Sequence, residues 1–143
     1  MPSDAARLRR ARLIERVRTA DQSRAATEAH QAETNRRKLA ELVERTRSLG
    51  AVYAAHDTFR DGADLTRAAV LGARLHDLGR NAARQAEQAG READDKLALL
   101  AAAERRLQSA NEKRDALERA RMTKLAQTDG VPAARTGIGT EVE

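Results

Sequence analysis

Between Pro2 and Pro132 the chain contains no proline, and along most of that stretch apolar residues return at steps of three and four. That spacing lines one face of an α-helix, whereas a strand alternates every second residue. Leu13, Val17 and Ala20 open a first run. Ala25, Ala29 and Ala32 follow, then Leu39, Val43 and Tyr53, with Leu42 and Leu49 flanking the stripe. A second run reads Leu71, Leu75, Leu78, Ala82, Ala86, Ala89, Ala93, Leu100, Ala103, Leu107, Ala110 and Leu117. Both runs are heptad-like and long enough to predict a coiled coil. Between them lies Asp61-Gly62, a strong turn dipeptide. Ser3 suits the start of the first helix, and Asp61 or Asp64 the start of the second, because a short polar side chain accepts from an otherwise unpaired N–H.

Composition narrows the fold further. Leu, Ile, Val and Phe make up 24 of 143 residues, against 31 Ala and 23 Arg. That is below the roughly 20% typical of chains that close a globular core. Ala, Glu, Lys, Leu and Arg total 85 residues, as in a coiled coil rather than a disordered chain rich in Pro and Ser. The prediction is an all-α fold: a long two-helix antiparallel coiled-coil hairpin, with helices over about 4–58 and 64–126. The hairpin forms one unit over 1–127, and 128–143, rich in Gly, is a flexible tail. Pairing about the turn makes facing residue numbers sum to about 123. Leu39 then lies near Arg84, Tyr53 near Val70, and Leu13 near Ala110.

Several chemistries are not encoded. Cysteine is absent, so no thiol or disulfide chemistry is available. No apolar run is long enough for a membrane span, and no apolar stretch follows the basic start as in a secretory signal. A cytoplasmic location is the expectation. His30, His56 and His76 have no second ligand at helical spacing. Asp57, Asp61 and Gly62 match three positions of a calcium loop, but Phe59 and Ala68 stand where acidic ligands are required. Walker and dinucleotide-loop signatures are missing. No cofactor, metal site or small-molecule substrate is expected, and the chain reads as a non-enzyme.

Charge is sorted along the sequence. Residues 1–20 hold six Arg against Asp4 and Glu15. Residues 105–124 hold seven cations against Glu112, Asp115 and Glu118. A hairpin brings these two segments together as one basic end suited to an acidic protein partner. Tyr53 and Phe59, beside the turn, are candidates for a docking contact at the opposite tip.

The Arg7–Arg18 region, the break at Asp61-Gly62, Arg105-Arg106 and the run Lys113-Arg114-Asp115-Ala116-Leu117-Glu118-Arg119 resemble the FliJ family of flagellar export proteins and their YscO-type counterparts in injectisomes. The resemblance covers residues about 5 to 126. It implies a non-enzymatic component of a flagellar or type III protein export apparatus. The paired helix ends would act as a central stalk in a hexameric export ATPase ring, and the hairpin would contact the cytoplasmic domain of the export gate. It also implies peripheral association with a complex at the inner membrane. The residues matching the basic shaft end are Arg9, Arg10, Arg12, Arg114, Arg119 and Arg121. Two other classes fit the same composition: a generic coiled-coil scaffold or adaptor, and a basic nucleic-acid-binding coiled coil. The second is disfavoured by the lack of an aromatic stacking platform.

Overall fold

A computed structural model describes residues 1–130. It contains two α-helices that pack against each other, as the all-α hairpin prediction requires. Helix α1 spans Asp4–Ala54 and α2 spans Gly62–Gly130, 51 and 69 residues long. The first ends four residues before the expected boundary, and the second continues four residues beyond it. Thr128, Asp129 and Gly130, assigned to the tail by sequence, are therefore helical. The rest of the expected tail lies outside the described residues.

The caps follow from side-chain chemistry. Ser3 Oγ accepts from the Ala6 N–H at 3.2 Å, and Asp4 sits in the first turn of α1. At the other start, Asp61 Oδ1 accepts from the Asp64 N–H at 2.8 Å, and Asp64 Oδ2 accepts from the Arg60 N–H at 3.1 Å. Asp61 is thus the N-cap, and Asp64 reaches back in the manner of a capping box. Helix α1 closes on a tighter last turn, with the His56 N–H donating to the Tyr53 carbonyl at 3.2 Å.

The buried faces follow strict heptads. On α2 the series of alternating three- and four-residue steps from Leu75 to Leu117 is buried or half-buried throughout. On α1 the corresponding series runs Leu8, Ala11, Glu15, Arg18, Gln22, Ala25, Ala29, Ala32, Arg36, Leu39, Val43, Thr46 and Gly50, and only Arg36 is exposed. The core residues proper are Leu8 and the alanines 11, 29, 82, 89, 93, 103 and 110, joined by Thr46. Alanine at these positions lets helix axes approach closely, at the expense of buried area.

Part of the expected seam is corrected. Leu13 and Val17 are 59% and 58% exposed, and Ala20 is exposed too. The buried stripe passes through Glu15, Arg18 and Gln22 instead, because that phase continues the Ala25–Ala29–Ala32 face without a break. Leu71 and Leu78 are likewise exposed, and Tyr53 is 43% exposed.

The chain divides into two compact units. The first comprises Met1–Ser23 with the described residues from Ala102 onward, and the second comprises Arg24–Ala101. In the first, the helices are joined by Lys124–Asp4 at 2.6 Å, Arg114–Glu15 at 2.7 Å and Arg12–Glu118 at 3.1 Å. Those partners sum to 128–130, the long side chains reaching a few residues along the helices. In the second, Lys96 pairs with Glu28 at 3.2 Å, and the Cγ2 of Thr46 lies 3.4 Å from where a Cβ on Gly79 would stand. These pairs sum to 124 and 125, close to the expected 123.

The phase of the seam is directly testable. Ala93 is 1% exposed, so Ala93→Asp introduces a buried, unpaired carboxylate and should cost several kcal/mol of stability. Leu13→Asp should change it by no more than about 0.5 kcal/mol. Thermal unfolding followed by circular dichroism compares the two. Equal melting temperatures would contradict the assigned phase.

Candidate protein-docking sites

The first unit carries the sorted charge. Among its described residues are 13 Lys and Arg against 8 Asp and Glu. The structure separates these cations into two groups. Arg12 donates to Glu118 across the helix pair, and Arg114 donates to Glu15 and, at 2.8 Å, to its neighbour Asp115. Both are structural ties between or along the helices. Hydrogen bonding to Asp115, helped by the charge of Glu15, raises the pKa of Arg114 above its ordinary value. Lys124, which the sequence reading did not select, ties the chain start to α2 through Asp4.

Arg9, Arg10 and Arg119 form no ion pair among the described residues, and all three are exposed. Arg121 is also exposed and lies within the field of Asp4. Of the six expected shaft-end residues, then, Arg12 and Arg114 are committed to the fold, while Arg9, Arg10, Arg119 and Arg121 present charge to solvent.

A groove of about 240 Å³ opens on one flank of this unit. Its floor is Ala11, Ile14, Ala110 and Leu117, and its rim is Arg7, Arg10 and Lys113. No acidic residue lines it. In heptad terms Arg7, Ile14 and Lys113 all occupy the position immediately before a seam residue, on the same flank of both helices. Arg10 was expected in the basic site; Arg7 and Lys113 lie in the basic segments quoted from the sequence but not among the six expected shaft-end residues, although their positions in the heptads mark them once the phase is known. An apolar floor with a cationic rim can seat an amphipathic segment bearing carboxylates.

The second unit holds a larger groove, about 680 Å³, between the end of α1 and the start of α2. Tyr53 and Phe59, the expected tip contacts, both line it, and His56 meets the Phe59 ring edge-on at 5.9 Å. It is open because Gly50 and Gly72 occupy heptad positions facing the partner helix, with no atom within 4 Å of a Cβ built on either.

Among the described residues, no group of three or more His, Asp or Glu is placed to hold a metal ion. No described helix is long and apolar enough to cross a membrane. No family model, curated protein or solved structure matches this chain.

The Lys124 ammonium holds the Asp4 carboxyl below the usual aspartate range, chiefly through its hydrogen bond. A depressed carboxylate pKa stabilises the fold above the ordinary range, and that contribution is lost as pH falls through the depressed value. Carboxyl-carbon NMR should therefore show Asp4 titrating below the ordinary aspartate value of about 3.9, with Lys124→Ala moving it upward. An unchanged midpoint in the variant would rule out the tie.

Proposed function

We propose that this chain is a non-enzymatic coiled-coil component of a flagellar or type III protein export apparatus. On this reading its basic unit acts as a central stalk that engages a hexameric export ATPase, and the hairpin contacts the export gate. The observation that carries the reading is the groove of the first unit, where Arg7, Arg10 and Lys113 surround an aliphatic floor with no acid among them. These cations are not needed to hold the helices together, since the cross-helix ties fall to Arg12, Arg114 and Lys124. Exposed cations of this kind contribute little to folding but steer and orient an acidic partner. The paired helix ends and the FliJ-like distribution of arginine support the stalk assignment. The absence of an aromatic ring from the groove argues against base stacking, and so against a nucleic-acid ligand.

Reversing Arg7, Arg9, Arg10 and Lys113 to Glu should leave helicity nearly unchanged. It should weaken binding to the hexameric export ATPase by tenfold or more and remove any stimulation of its hydrolysis rate. The control reverses Arg37, Arg47 and Arg91, whose side chains are 72%, 73% and 73% exposed in the second unit. Loss of binding in the control with retention in the groove variant would refute the basic-stalk reading.

A further inference from the structure

The part of the second unit nearest the turn has a wide apolar stripe that two helices cannot cover. The fully buried residues of the whole unit are Ala29, Ala82, Ala89, Ala93 and Thr46, with no Leu, Ile or Val among them. Near the turn, four leucines beside the seam stay 38–52% exposed: Leu42 and Leu49 on α1, Leu71 and Leu78 on α2. All four occupy the heptad position just before a seam residue, so in an antiparallel pair they share one flank. None of them lines the large groove, whose residues come from the seam and the other flank. Seam positions plus one flanking position make the broad apolar face of a helix in a bundle of more than two, not the narrow face of a two-stranded coil.

We propose that this flank is a self-association surface, and that two copies of the chain pack through it into a four-helix bundle. Three features select a second copy as the occupant. First, both helices carry the same pattern, two leucines seven residues apart, so the flank is self-complementary as a two-fold interface requires. Second, each helix sets an acid between cations beside the stripe: Glu41 between Lys38 and Arg45, and Asp77 between Arg74 and Arg84. None of these six charges has an ion-pair partner among the described residues. Rims of mixed sign with open pairings suit a symmetry mate, whereas a rim of one sign would call for an opposite partner. Third, the stripe is continuous with the existing helix–helix seam, and a seam made of alanine supplies too little buried area for a unit of this size without oligomerisation. The inference is independent of the stalk reading, because all four leucines lie in the second unit and the basic groove lies in the first.

Light scattering coupled to size-exclusion chromatography on the full chain tests it. The measured mass should be twice 15.7 kDa at tens of micromolar. Changing Leu42, Leu49, Leu71 and Leu78 to Gln should return the mass to that of one chain with helicity retained. Leu13→Gln with Val17→Gln, the exposed apolar pair of the first unit, should leave the dimer intact. Since the chain has no cysteine, a single Leu49→Cys should also cross-link two chains through a short bis-maleimide, while Leu13→Cys should not. A wild-type chain of single mass at 100 µM, a quadruple variant that stays dimeric, or cross-linking at residue 13 in preference to 49 would each overturn the proposal.

Discussion

Everything in this fold depends on a seam of small side chains held in register by charges. Alanine dominates the buried positions, so each contact contributes little and the helices are stabilised by many repeated approaches. Alanine also specifies register weakly, because every alanine hole resembles the next. Charged residues supply what alanine lacks. Glu15 and Arg114 both occupy seam positions and meet at 2.7 Å, and Lys96 in the seam meets Glu28 at 3.2 Å. These side chains are 20–44% exposed, so each pair contributes modestly, but a slipped register would lose every matched pair at once.

The same logic explains what the sequence disclosed and what it did not. The two helices, their caps and the antiparallel return were legible, because absence of proline, capping side chains and three–four spacing act locally. The seam of α2 was legible from Ala82 onward for the same reason, apart from gaps at Lys96 and Arg114; before that it passes through Gly79 and not its neighbour Leu78. The start of α1 was misread: Leu13 and Val17 are strongly apolar, yet they face out. Counting back from Ala29 in heptads reaches Gln22, Arg18 and Glu15, residues that hydrophobicity alone disqualifies. The half-burial of Glu15 becomes intelligible only once Arg114 is seen as its partner, a long-range pairing that no local pattern announces. The positions of the grooves depended on this phase and were hidden with it.

The division of labour among cations carries the functional account. Arg12, Arg114 and Lys124 each reach an acid on the other helix, while Arg7, Arg10 and Lys113 surround an apolar groove without one. Net charge could not distinguish these groups, since both come from the same Arg-rich segments. In the second unit one cross-helix ion pair is formed among the described residues, and seam glycines leave a groove beside Tyr53 and Phe59. Fold-holding charge and groove-lining charge are thus carried by different residues within short distances of sequence.

The register of the seam is the claim on which the rest stands, and disulfide closure measures it most directly. With Thr46 Cγ2 at 3.4 Å from the Cβ position of Gly79, the pair lies near the separation that a disulfide spans. A Thr46→Cys, Gly79→Cys double variant, oxidised at low micromolar concentration, should close an intramolecular bridge with helicity retained. Failure to close, together with ready closure of a Leu39→Cys, Arg84→Cys pair, would show that the helices meet in the symmetric register and that the seam described above is wrong.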